Sequence, residues 1–243
     1  MIPIGDDNRG RRISPYVNWS LILINLSVFV YQFTRPMAEL ERFVFSWGAV
    51  PADVVPALQS PSVGNLETYS TLFTSMFMHG SLAHFFGNML FLWIFGDNIE
   101  DAMGHIGYLF FYLLGGLAAA MTHIAFDPTS TIPMIGASGA ISAVMGAYLL
   151  LFPTGMVRVL VFFGLPLIFM VPAILMLGLW FLTQLVAGVA ALEGAGEAAG
   201  GIAFWAHVGG FVAGAVLVWL FRDTRAVARQ KAARSGRRPF SRA

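Results

Sequence analysis

Ala206-His207-Val208-Gly209-Gly210-Phe211-Val212-Ala213-Gly214-Ala215-Val216-Leu217-Val218-Trp219-Leu220-Phe221 carries one ionisable side chain in sixteen residues. With the apolar residues before it, the run is near the ~20 residues needed to cross a bilayer core. Similar runs occur at about 17–33, 79–96, 106–126, 137–152 and 167–191, so the sequence predicts six spans. The second span is the least regular, because Ser75 to His84 can lie in the interface. Val157 to Leu165 reads as a partly buried approach to the fifth span.

Composition agrees. The chain has 243 residues, 57% hydrophobic and only 11% charged, with mean hydropathy +0.73, whereas soluble domains carry about 25% charge. The fold class expected is an all-α polytopic membrane protein, a six-transmembrane-helix bundle whose solvent is the lipid bilayer. A net charge of +1, with basic residues gathered at the two ends, argues against a nucleic-acid partner. There is no cysteine, hence no disulfide, thiol nucleophile or thiolate metal site. Arg9, Arg11 and Arg12 precede the first apolar run, but no small-residue cleavage site follows it, so it reads as a retained span.

Cytoplasmic segments of membrane proteins are enriched in Lys and Arg. Placing both termini in the cytoplasm puts Arg158 and the basic residues of both ends inside and leaves only Arg35 and Arg42 outside. The acidic turn of Asp97, Glu100 and Asp101 then lies inside, which is tolerable because carboxylates count little in this rule. The chain divides into a cytoplasmic N-terminal segment at 1–16, a membrane domain at 17–221 and a basic cytoplasmic tail at 222–243, expected to be solvated. A long external segment at about 34–78, too apolar for a plain linker, is expected to lie in the interface. Spans two, four and six then run in the same direction and begin at one depth near the external face. The protein is expected to be a multi-pass integral membrane protein, in the plasma membrane if the cell is bacterial.

Polar side chains inside spans usually face a bundle interior or a water-filled cavity. His84 and Asn88, four apart, share one face of the second span. His79, five residues earlier, either orients His84 or faces the interface. Ser138 stands in Ile135-Gly136-Ala137-Ser138-Gly139-Ala140 at the start of the fourth span, where helix N-terminal amides lack partners and the dipole favours developing negative charge. His207 begins the sixth span, with Gly210 and Gly214 three and seven residues on. Gly139, Ser142, Ala143 and Gly146 offer a matching small face, so close approach of the two helices can bring Ser138 to His207.

Each residue has a bland reading: small-residue strings pack helices, a lone histidine satisfies a structural hydrogen bond, and His84 and Asn88 can join helices. Three such sites at one end of three same-direction helices are harder to explain as packing. Together they permit nucleophilic acyl transfer, with an imidazole taking the serine proton and polar donors holding an oxyanion. Every carboxylate falls in a loop, a tail or a span end, so a two-residue dyad is the economical arrangement.

The motifs His79-Gly80-Ser81-Leu82-Ala83-His84-Phe85-Phe86-Gly87-Asn88, Gly136-Ala137-Ser138-Gly139 and Ala206 to Gly214 resemble, in order and spacing, the rhomboid family of intramembrane serine proteases. The resemblance covers about 66–220. It implies catalytic Ser138 and His207, with His84, Asn88 and the Ser138 amide as oxyanion donors and Gly136 and Ala137 within the same oxyanion and substrate-binding set. It implies transmembrane protein substrates, cut near the external ends of their spans beside helix-weakening small residues, and no cofactor. Two positions depart from the family pattern. A frequent Trp-Arg pair before the second span is Ser70-Thr71 here, and a tyrosine four residues after the nucleophile is Ser142. The loop's anchor and the histidine's packing partner must therefore come from elsewhere.

A non-proteolytic rhomboid-like protein that binds membrane clients is the alternative, but it would be expected to lose Ser138 or His207. A small transporter would show repeated halves or midplane ion pairs. His-Glu-x-x-His is absent, and Ile94-Phe95-Gly96-Asp97 lacks the first glycine of a Gly-x-Gly-Asp aspartyl motif. For access, the fifth span is the candidate gate, being bulky at Leu175, Met176, Leu179, Trp180 and Phe181, with the glycine-rich loop Leu192 to Gly201 lifting beside it; the other reading is an ordinary lipid-facing helix and a plain connector.

Overall fold

The computed structural model describes residues 2–192 and 203–236. Ten helices and three strands follow one another in it: β1 Ile2–Gly5, α1 Tyr16–Phe33, α2 Met37–Trp47, α3 Pro51–Gln59, α4 Leu66–Thr74, α5 Leu82–Met103, α6 His105–Phe126, α7 Ser138–Leu151, β2 Met156–Phe163, β3 Leu165–Pro172, α8 Ala173–Leu192, α9 Phe204–Phe221 and α10 Thr224–Arg234. Short 3-10 turns at Val63–Asn65 and Ser75–Phe77 flank α4. This is a polytopic helical membrane fold. Among the described residues, α1, α6, α8 and α9 are long and apolar enough to cross a membrane. α5 has the length, at 22 residues, but ends in carboxylates, and α7 is apolar but has 14 residues.

α7 is the centre of the bundle. Eleven of its fourteen residues are buried, because α5, α6, α8 and α9 all pack around it. Small residues allow this. A side chain added at Gly210 would collide with the Gly139 carbonyl, at Gly214 with Ala143, and at Gly146 with the Phe211 carbonyl, so α7 and α9 meet backbone to backbone as their paired small faces predict. Gly139 faces Ala119 and Gly115 faces Ala143 in the same manner, bringing α6 into the seam.

α5 starts at an N-cap, Ser81, whose Oγ accepts from the His84 amide at 3.1 Å. The helix therefore begins at Leu82 rather than at 79. It ends at Gly104, whose φ of 74° reverses the chain directly into α6, a conformation open to glycine without a Cβ penalty.

The segment after α7 is where the structure departs most from the expected spans. Val157 to Leu165, the partly buried approach to the fifth span, is part of a β-hairpin, and the helix of that span, α8, begins at Ala173, not 167. The physical reason is alternation: Val157 and Val159 are buried while Arg158 between them is exposed, the period of a half-buried strand. Pro166, which cannot donate to a ladder, sits on edge strand β3. β1 adds to the other side of β2, with Ile2 opposite Leu160, so the N-terminal segment is a strand of the same sheet.

The basic tail also differs from a solvated end. Through Arg234 it forms α10, which packs on α5 and buries Gln230 completely. Asp101 is the reason. One of its oxygens accepts from the amides of Arg12 and Ile13 at 2.8 and 3.0 Å, the other from Arg229 and Gln230 at 2.6 and 2.8 Å. Neighbouring Glu100 accepts from the Val17 and Asn18 amides at 3.0 and 2.7 Å, a carboxylate at the helix N-terminus of α1 where the dipole favours it. Asp97 pairs with Arg11. Asp6, beyond β1, accepts from Tyr148 at 2.7 Å and Asn98 at 2.8 Å. Both terminal segments are thus tied to the end of the bundle that holds the acidic turn of α5.

Candidate active site

The opposite end of α7 carries Ser138 as its first residue. The loop leading to it is held on both sides. Ala49 and Met134 exchange amide-to-carbonyl bonds at 3.1 and 2.8 Å, and the Gly136 amide donates to the Ser75 carbonyl at 2.9 Å. Thr74 Oγ1 donates to the Trp47 carbonyl at 2.7 Å, fastening α4 to the end of α2. The 34–78 segment is therefore a set of short helices that brace the serine loop. That bracing supplies the anchor for which Ser70-Thr71 offers no arginine.

The two small-residue motifs meet as expected. Ser138 Oγ lies 2.8 Å from His207 Nε2. Behind the imidazole, Nδ1 donates to Gln184 Oε1 at 2.7 Å, and the Trp180 ring lies 5.8 Å away at 40°. The aromatic partner of the histidine thus comes from α8. Ser142, in the place of the family's tyrosine, is buried and turns its hydroxyl back to the Ser138 carbonyl at 2.6 Å.

His84 reaches the same space from α5. A methyl group placed at Gly136 would stand 2.9 Å from His84 Nε2 and 3.5 Å from Ser138 Oγ, so ring and hydroxyl look onto one spot above residue 136. Its φ of 134° and this crowding both demand glycine. The Gly136 amide is already engaged by Ser75, so this N–H is not available as an oxyanion donor. Ala137 is fully buried, and its carbonyl accepts from the Ile141 amide at 3.0 Å, starting the helix. Ser138's own amide belongs to the first turn, where helical amides lack intrahelical acceptors.

Asn88 lies one turn along α5 from His84 and is buried, and its Nδ2 has no hydrogen-bond partner among the described residues. A buried amide donor left unmatched costs about 1–3 kcal/mol and marks a place where a group is expected to be received. His79 packs its ring edge-on at 5.2 Å from that of His84 and is itself buried. It therefore abuts His84 rather than facing the interface.

Gln184 was missed by the sequence reading. The signal was there: a carboxamide in the middle of the apolar run Ala173–Leu192 meets the same test of intramembrane polarity that singled out Asn88. The glycine-rich loop expected to cap the site, Leu192 to Gly201, lies outside the described residues beyond Leu192.

Residues 66–224 match the family model of the Rhomboid domain. Over 163 residues, 65% of this chain and 42% of the relative, the sequence is 28% identical to Rhomboid protein 1, mitochondrial, of Saccharomyces cerevisiae. It is 26% identical over 162 residues, 64% of this chain, to Rhomboid-like protein 11, chloroplastic, of Arabidopsis thaliana, covering 54% of that protein. A shorter match of 78 residues, 32% of this chain and 15% of the relative, reaches 36% identity with Rhomboid protease GluP of Bacillus subtilis. The chain spans about half or less of the length of these relatives. The matched region contains all three motifs and the helices that bear them, and the chain belongs to the rhomboid family.

Proposed function

We propose that this protein is an intramembrane serine endopeptidase that cleaves transmembrane protein substrates with a Ser138–His207 dyad. The observation that carries the reading is the 2.8 Å approach of Ser138 Oγ to His207 Nε2 at the buried N-terminus of α7. The imidazole takes the hydroxyl proton as oxygen attacks the scissile carbonyl, then returns it to the leaving amine; water repeats the cycle on the acyl-enzyme. The tetrahedral oxyanion is received by the Ser138 amide, with His84 and the unmatched Asn88 amide on the α5 side. Buried Ala137 backs the nucleophile, and Gly136, by lacking a side chain, lets the His84 ring come close to Ser138.

Depth follows from length. A helix of 14 residues rises about 21 Å, short of the ~30 Å hydrocarbon core. If its far end reaches one interface, Ser138 lies several ångströms beneath the other. With α1 and α5 to α9 taken as six spans, that end is external and both termini are cytoplasmic, a reading the distribution of basic residues supports. The shared ionic tether of both terminal segments supports their lying on one side. A reporter fused to either terminus should be cytoplasmic; an external C-terminus would overturn the placement.

Access is by way of α8. Of its twenty residues, only Ala173, Met176, Leu177 and Gly188 are buried, so it is the helix most easily displaced from the bundle. A disulfide engineered between the Ser138-side halves of α5 and α8 should stop transmembrane cleavage until reduced; unchanged cleavage would refute the gate.

The direct test is reconstitution in proteoliposomes with a transmembrane reporter substrate. Cleavage by the wild type, and none by Ser138→Ala or His207→Ala at unchanged thermal stability, is expected. Binding of the reporter without cleavage by the wild type would instead favour the non-proteolytic, client-binding reading.

A further inference from the structure

The dyad has a third neighbour on α8. Gln184 and Trp180 are four residues apart and so share one helix face, and that face meets the imidazole with an amide oxygen at 2.7 Å and an indole ring at 5.8 Å. The orientation of the amide is set along α8 itself: Gln184 Nε2 donates to Thr183 Oγ1 at 3.4 Å, and the Thr183 hydroxyl donates to the Trp180 carbonyl at 2.6 Å. The amide oxygen therefore points at the ring, and an oxygen can only accept. The His207 proton is then on Nδ1, which leaves the Nε2 lone pair facing Ser138.

We infer that Gln184 is a positioning residue that holds His207 in the tautomer and rotamer able to accept the Ser138 proton, a neutral occupant of the place a carboxylate takes in a serine triad. The inference rests on the hydrolase reading above. A carboxylate among the apolar residues of α8 would need a partner to offset its desolvation; a carboxamide fixes the tautomer without that cost. Because the orienting group rides on α8, displacement of that helix also releases the imidazole.

A purely structural role for Gln184 would satisfy the buried ring nitrogen and nothing more. The two roles separate in kinetics. With the full chain in proteoliposomes, Gln184→Leu is expected to lower kcat about 10- to 100-fold, the usual effect of removing a partner that orients a functional histidine, with KM little changed. Gln184→Glu keeps the acceptor and adds charge, so the acidic limb of the pH–rate profile should move to higher pH. The other imidazoles whose charge bears on His207 are His84 and His123. Both are common to all variants, so a limb that moves only with Glu reports His207. Gln184→Asn, which withdraws the amide by one methylene while keeping its polarity, should behave as Leu does and covers the case in which Leu disturbs the fold. Wild-type kcat in the Leu and Asn variants, with an unmoved limb in the Glu variant, would overturn the inference. The wild type must also label at Ser138 with a serine-reactive fluorophosphonate: labelling at an equal rate in Gln184→Leu sinks this inference alone, whereas no labelling of the wild type sinks the hydrolase reading and this inference with it.

Discussion

Both ends of α7 bury polar groups, but they do opposite things with them. At the Leu151 end, the carboxylates of Asp6, Asp97, Glu100 and Asp101 are each answered by more than one donor drawn from segments far apart in sequence. At the Ser138 end, a hydroxyl, imidazoles and carboxamides form a sparse set with no carboxylate among the described residues, and the Asn88 amide is left unmatched. Carboxylates answered several times over fix geometry, whereas a site that must receive a developing charge keeps a donor beside its nucleophile; Arg234 Nε and Nη1, at the Leu151 end, are likewise buried without a partner among the described residues but have no nucleophile near them. The difference lies in the paired carboxylates and in the serine–imidazole contact, not in unmatched donors alone.

The comparison predicts that substitutions at the two ends separate activity from stability. The largest effect on turnover should come from His207→Ala or Ser138→Ala, each lowering cleavage by at least about 10³-fold, since members of such a unit fail together, while thermal unfolding in detergent is unchanged. Residual cleavage near the wild-type rate would merge the two regions. Asn88→Ala should lower the rate by about 10²–10³-fold, the effect of one oxyanion donor, and leave serine labelling detectable. A wild-type rate would show that Asn88 only packs.

At the other end, Asp101→Ala leaves the Arg12 and Ile13 amides without their acceptor and Arg229 and Gln230 with only the Gly10 and Asn98 carbonyls, and should cost about 3 kcal/mol of stability. Its folded fraction should retain wild-type turnover. Loss of turnover without loss of stability would assign the network a part in the chemistry. The smallest effect is a pH dependence. Burial, reinforced by Asp97, raises Asp6 from 3.8 to about 7. A carboxyl raised on folding holds its proton where the unfolded chain has lost it, so its contribution to stability falls as pH rises from about 4 to about 7 and is level above that. Asp6→Asn should flatten that part of the melting-temperature profile relative to wild type; parallel profiles would contradict the assignment.

The sequence and the structure agree wherever signal is local. The bounds of α1, α6, α7 and α9 follow from hydrophobic run length, and the Ser138–His207 encounter from small residues at matching helical spacing. What escaped was non-local or short. The partners of Asp101 lie 88 to 129 positions away in the chain, so its carboxylate reads as a tolerable surface charge until α10 folds back on it. The hairpin of β2 and β3 is apolar but for Arg158, and the burial of the valines on either side of that residue is what marks it as a strand. Gln184 belongs to no motif and gains its meaning only from the proximity of α8 to α9.

The central claim is that Ser138 is made nucleophilic by His207. The most direct measurement is labelling of the purified protein with a fluorophosphonate probe, with the modified residue located by mass spectrometry. A single adduct on Ser138, lost in His207→Ala and retained in Asp101→Ala, is the predicted result; no adduct on Ser138, or an equal adduct without His207, would contradict it.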